Sequence, residues 1–176
     1  MDIKKFADDI LAGSTRFLAL TDPTDNDFYA FSQKNGFTET HLVTVLEEIF
    51  LNAREHGSGK ILFYFHKDGS TLLFGIRDLL GVGIHETVPR NPRLVDVGGK
   101  EASSILRLSL ERGITGTGDV GRGIGLFLLK DFVQKSKGES YLASDSAFLR
   151  QNINKIFESD LGSEIKGSLV CLKINQ

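Results

Sequence analysis

Leu46-Glu47-Glu48-Ile49-Phe50-Leu51-Asn52-Ala53-Arg54-Glu55-His56 carries two stripes at once. Leu42, Val45, Ile49, Phe50 and Ala53 recur at helical spacing, which predicts an amphipathic helix from Thr38 or Thr40 to His56, stopped by Gly57. Glu48, Asn52 and His56 stand at i, i+4 and i+8 and form one polar line beside the apolar face. An uncharged Asn carbonyl suits a Mg2+ ion that already carries phosphates and water, and a Glu one turn earlier can orient or deprotonate a nucleophile. A solvated helix face would show the same line.

Downstream, Lys60–His66 and Thr71–Arg77 are apolar, aromatic and β-branched runs separated by Lys67-Asp68-Gly69-Ser70, a hairpin with an Asp-Gly turn signal. The second run ends in Asp78-Leu79-Leu80-Gly81-Val82-Gly83-Ile84, an acid followed by two glycines. A carboxylate at a sheet edge accepts a hydrogen bond from an exocyclic amine such as that of adenine, and glycines let backbone lie against a flat base. A plain turn uses the same residues.

Residues 85–100 hold Pro89, Pro92, Gly98 and Gly99 without periodicity and read as mobile or irregular, while Glu101 to Arg112 predicts a short helix burying Ala102, Ile105 and Leu106. Gly121-Arg122-Gly123-Ile124-Gly125-Leu126 then runs into a helix whose apolar residues are Leu126, Leu129, Phe132 and Val133, ending at Gly138. Free N–H groups and the positive end of a helix dipole make an anion cradle, and Arg122 adds charge. The spacing is neither the Rossmann fingerprint nor a Walker A loop, and a flexible linker before a helix remains an alternative. Tyr141–Ala143 and Leu169–Ile174 read as strands; residues 147–166 are ambiguous between a helix and an irregular strand pair, because Phe148, Leu149, Ile153, Ile156 and Phe157 fit neither period well.

Upstream, residues 1–37 begin with a weakly amphipathic Ile3, Phe6, Ala7, Ile10 and Leu11, followed by a polar stretch from Thr21 to Asp27 that reads as loop. The 176 residues fit one domain, with ordinary globular composition at 40% hydrophobic and 25% charged. Lys plus Arg number 21 against 23 Asp plus Glu, so no basic excess offers itself to nucleic acid. Cys171 is the one cysteine, with no CxxC or Cys/His cluster for zinc, and a cytoplasmic location is the expectation. The amino terminus carries acids where a signal peptide needs an apolar stretch, and no run approaches the roughly 18 apolar residues of a span, so no membrane partner is expected. The order of elements predicts an α+β two-layer sandwich with helices on one face of a mixed sheet.

Together and in this order, the three constellations resemble the N, G1 and G2 boxes of the GHKL or Bergerat-fold ATPases, closest to histidine-kinase-like ATPases and anti-sigma-factor serine kinases. The resemblance covers residues 38–176, including Gly167-Ser168 before the last strand, where the family usually has Gly-Thr. It implies that Asn52 binds Mg2+, that Glu48 is the acid of the catalytic helix and that His56 extends the same nucleotide-facing line. It implies that Asp78 reads the adenine amine with Ser168 helping through water, and that Gly81, Gly83 and Ile84 shape the base pocket. Residues 85–120 would be the ATP lid, and Gly121, Arg122, Gly123, Ile124, Gly125 and Leu126 would cradle the phosphates. The G1 box departs from the family's Asp-x-Gly-x-Gly, being Asp78-x-x-Gly81-x-Gly83, one residue longer.

The resemblance implies ATP and Mg2+ as ligands and a signalling role as a protein kinase, ATPase or nucleotide-gated regulator. The partner would be a regulator or anti-sigma-type target, with room for a homodimer. A complete sensor histidine kinase is not expected, since residues 1–37 contain no histidine to accept phosphate. The competing expectation is a non-catalytic interaction module that keeps the fold and holds a protein.

Overall fold

The computed structural model of the chain describes residues 1–37, 39–56, 60–91, 94, 101–114 and 124–175. The element order is α1 (Ile3–Leu11), β1 (Leu18–Thr21), α2 (Asp25–Lys34), α3 (Thr40–His56), β2 (Ile61–Asp68), β3 (Thr71–Asp78), α4 (Ile84–Thr87), a 3-10 turn (Val88–Arg90), α5 (Ala102–Ser109), α6 (Gly125–Ser136), β4 (Glu139–Asn152) and β5 (Ile156–Asn175). The helix read from the apolar stripe is α3, and it buries Leu42, Val45, Leu46, Ile49 and Phe50. The Asp-Gly hairpin is β2–β3, paired from Ile61↔Asp78 to Asp68↔Thr71.

The fold is α+β, built on a five-stranded sheet of order β1-β2-β3-β5-β4. Every neighbouring pair is antiparallel, so the mixed sheet of the sequence reading is corrected. β3 and β4 do run in the same direction, as a connection through helices predicts, but β5 turns back from β4 and inserts between them. Residues 147–166 belong to this last hairpin. Ala147↔Asp160 through Gln151↔Ile156 pair regularly, while the register jumps from Asp145↔Ile165 to Ala147↔Asp160 and so hides any simple period from the sequence.

The main core lies between the sheet and α2, α3, α5 and α6, with Phe63, Phe74, Leu142 and Leu172 of the sheet under Phe50, Leu106 and Leu129. Phe28, Phe31 and Phe37 add edge-to-face ring contacts to Phe63, Phe65 and Phe74 at one end of this layer. Not all helices share that face. α1 covers the opposite one, burying Ile3, Phe6, Ala7 and Ile10 against Tyr64, Leu73, Tyr141 and Cys171, at roughly 1.5–3 kcal/mol for each large side chain. Gly75 leaves the space for this contact, because a Cβ there would sit 2.7 Å from Ile10 Cδ1.

Two further expectations change. The polar stretch before Asp27 opens α2 through a capping box, in which Thr24 Oγ1 accepts the Asp27 N–H and Asp27 Oδ2 accepts the Thr24 N–H. Residues 84–90, expected to be irregular, form α4 and the 3-10 turn, with Val88 buried against Ile105 of α5. The rest of the expected lid, residues 92–93, 95–100 and 115–120, lies outside the described residues, as does the Gly57 stop. Among the described residues, no helix is long and apolar enough to cross a membrane.

Candidate functional site

A cleft opens where the C-terminal half of α3, the N-terminus of α6 and the ends of β3 and β5 meet. Asn52 and His56 reach it from α3, Asp78 from β3, Gly83 and Ile84 from the following turn, Gly125 and Leu126 from α6, and Ser168 from β5. Eight residues singled out from four distant stretches of sequence therefore converge on one space. Its apolar walls are Ile49, Ala53, Ile76, Val88, Ile114 and Val170, with Thr87 and Ser109 completing the lining. A concave apolar space with a few convergent polar groups is the usual form of a small-molecule site.

Asp78 is 3% exposed. Its Oδ1 accepts the N–H groups of Leu80 (3.1 Å) and Gly81 (2.9 Å), closing the loop on itself. Leu79 N–H bonds Lys60 O at 3.0 Å, and Leu80 points outward at 48% exposure. Gly81 lies behind the cleft, lining a second hollow with His85, Asp145 and Glu164. Its role is steric, since a Cβ there would overlap Asp78 Oδ2. No protein donor among the described residues engages that Oδ2, which lies against Gly81 and Gly167.

Gly83 holds φ +81°, the left-handed region that glycine enters without strain, and starts α4. Next to Asp78, the Arg77 guanidinium is buried on the α1 side of the sheet with Nη1 unpartnered. Burial lowers its pKa, against the opposing pull of the Asp78 charge.

At the other end, Gly125 is the first residue of α6, and among the described residues no side chain caps the helix N-terminus, where Ile124 is the N-cap. A Cβ at Gly125 would overlap Asn52 Nδ2 and touch Glu48 Cβ at 3.4 Å, so the glycine sets how closely α3 approaches α6. Glu48 is half-buried beside this contact and does not line the cleft itself. Asn52 and Glu48 have no hydrogen-bond partner among the described residues. Uncapped N–H groups next to an amide side chain favour an anion. Ile124 is 37% exposed at the N-cap position, outside the lining. Gly121, Arg122 and Gly123 fall outside the described residues.

Thr87, Val88, Ser109 and Ile114, which fall in the expected lid segment 85–120 but were not singled out individually, close the cleft from the α4–α5 side. Val88 and Ile105 form a small apolar cluster with Leu94, Leu108 and Ile114, a pattern split across segments too short to show a period. No group of three His, Cys, Asp or Glu side chains able to hold a metal comes together among the described residues. No protein-family model matches the chain, and no curated protein matches it.

Proposed function

We propose that the chain is a Mg·ATP-binding domain of the GHKL type, acting in signalling as a protein kinase, ATPase or nucleotide-gated regulator. The observation that carries this reading is the meeting of Asn52, Asp78, Gly125 and Ser168 around one cleft. The apolar Asp78 end, between Ile49, Ile76 and Val170, takes the base. The carboxylate of Asp78 accepts from the exocyclic amine and repels the carbonyl that guanine presents there.

The Asn52 end takes the phosphates against the uncapped first turn of α6. Asn52 would hold Mg2+ through its neutral side-chain oxygen, the kind of hard donor such an ion accepts beside phosphate. When bound, the ion neutralises charge that develops on the phosphates during transfer. Glu48, one turn before Asn52 and free of competing hydrogen bonds among the described residues, is the group placed to take a proton from a nucleophile.

A thermal-shift titration of the full chain with ATP, ADP and GTP, with and without Mg2+, tests the reading. Adenine nucleotides at about 100 times Kd should add about 2.7 kcal/mol of stability. GTP should add little. Equal stabilisation by ATP and GTP, or none by either, overturns the proposal, and the latter result favours the protein-holding module.

A further inference from the structure

The registers of the last three strands place Asp78, Ser168 and Ser144 opposite one another, Asp78↔Ser168 on β3–β5 and Ser144↔Ser168 on β4–β5. Cross-strand partners share a face of the sheet, so these three side chains form one polar row. Asp78 and Ser168 line the cleft. Ser144, fully buried, continues the row beneath the turn that carries Gly83 and Ile84.

The contacts of Ser144 are directed at that turn. Its Oγ accepts the Ile84 N–H at 2.9 Å and lies 3.4 Å from the His85 N. Its own proton goes to the Gly167 carbonyl at 3.3 Å or to His85 Nδ1 at 3.0 Å, according to the imidazole tautomer. The N-cap of α4 is Gly83, which has no side chain to cap the helix, so the acceptor for its first amides comes from a strand, β4. Gly83 fits only because it lacks a Cβ, which would stand 2.5 Å from Ser144 Oγ and 2.7 Å from Gly167 O.

β4 is built to make this contact. The strand pairs regularly up to Ser144, then breaks register on both sides of Asp145, which adopts φ +57°. Bulges of this kind re-aim side chains, and left-handed non-glycine residues concentrate where a constraint holds them.

We infer that Ser144 is a positioning residue of the cleft: it holds the Gly83–Val88 wall at the distance from Asp78 and Ser168 that a base requires. The role rests on the nucleotide reading, and it adds to that reading a determinant that touches no nucleotide atom. The wall it fixes, Gly83, Ile84, Thr87 and Val88, follows the Asp78 loop directly in the chain and lines the cleft, whereas Asn52 and Gly125 are brought together from α3 and α6. Loss of the hydroxyl should therefore weaken ATP and ADP by the same factor and leave Mg2+ dependence unchanged.

The experiment is amide hydrogen exchange on the full-length Ser144→Ala chain without nucleotide, together with titration by ATP and ADP at high and low Mg2+. The expected result is exchange at Ile84 and His85 faster by about tenfold or more, the order of one buried hydrogen bond. Affinities for ATP and ADP should both fall about tenfold at either Mg2+ level. Unchanged protection at Ile84 and His85 overturns the inference, and so does lost protection with unchanged nucleotide affinity. A fall for ATP alone, or one that depends on Mg2+, also overturns it, because the defect would then lie at the phosphates.

Should Ser144→Ala fail to fold, Gly83→Ala tests the same contact from the other side, leaving the hydroxyl in place and pushing a methyl into it; unchanged protection of Ile84 and His85 there refutes the role. Wild type that binds neither nucleotide overturns the nucleotide reading instead, a failure that the exchange rates without nucleotide distinguish from this one.

Discussion

Asp78→Asn separates the two things the carboxylate can be, a loop cap or a reader of the base. Oδ1 is committed to the Leu80 and Gly81 N–H groups, at 3.1 and 2.9 Å. An Asn amide oxygen can take both of those bonds, which places its NH2 where Oδ2 stands now. The loop therefore keeps its two hydrogen bonds, each weakened by loss of the charge, and the fold should survive. For the ligand the change is one of sign: an acceptor facing the exocyclic amine becomes a donor facing a donor. Losing a hydrogen bond to a charged group costs about 1.5–3 kcal/mol, roughly ten- to hundredfold in ATP affinity. The assay is calorimetric or thermal-shift titration of wild type and mutant with ATP and GTP, with unfolding monitored in parallel. A mutant that binds ATP within about twofold of wild type shows that Asp78 serves the loop alone, and the base-reading role falls. Reduced ATP binding accompanied by improved GTP binding is the strongest form of the expected result, since guanine offers a carbonyl to the new donor.

Truncation of the α3 line should give two different defects: Asn52→Ala should weaken Mg-dependent nucleotide binding, while Glu48→Ala should leave binding nearly intact and lower any phosphoryl transfer or hydrolysis about 10²–10⁴-fold, as steady-state and binding assays on both variants would show. Turnover unaffected by Glu48→Ala would assign the base elsewhere. Gly125→Ala, which drives a methyl into Asn52, should cost about 1–3 kcal/mol of stability by overpacking and reduce ATP affinity together with it, measured by urea unfolding and titration; a neutral result would mean that α3 and α6 are not held at the close approach described. Away from the cleft, Glu139 accepts hydrogen bonds from Arg150 and from Lys173 (2.9 Å), and although burial alone would raise its pKa these partners bring it below the ordinary carboxylate value. A depressed folded value stabilises the protein above the ordinary carboxylate range, and that stability is lost as pH falls through the depressed value, so wild-type and Glu139→Gln urea midpoints should differ at pH 7 and converge toward pH 3.

The parts of the fold that could be read from sequence are those whose pattern repeats within one element. α3 shows a 3.6-residue stripe over 17 residues, and β2–β3 shows two strand-like runs about a tight turn. Where contacts are made between segments the sequence is silent. Nothing in Val88, Ile105 and Ile114 marks them as neighbours, and the insertion of β5 between β3 and β4 is a long-range choice that leaves no local trace. α1 was visible only as a weakly amphipathic start, and neither its helix nor the face of the sheet it covers was legible; that face is decided by the vacancy at Gly75 and by the apolar patch of Leu73, Tyr141 and Cys171. Ser144 was invisible for the same reason, being a serine in a strand whose importance lies in a bulge that only pairing with β5 creates.

Three of the glycines, the most conspicuous feature of the sequence, make close approaches within the protein itself. Their clustering reads as backbone that must approach something closely or turn sharply, and the atoms crowding Gly81, Gly83 and Gly125 include polar side chains of the site. A Cβ at Gly81 meets Asp78, one at Gly83 meets Ser144 and Gly167, and one at Gly125 meets Asn52 and Glu48. Each missing methyl draws a polar side chain against a backbone turn, and the cleft is the space left between those three close approaches. Substitution at any of the three should therefore deform the cleft before it blocks a ligand. In such a variant, stability and affinity should fall together; in a purely ligand-facing glycine, affinity alone would fall.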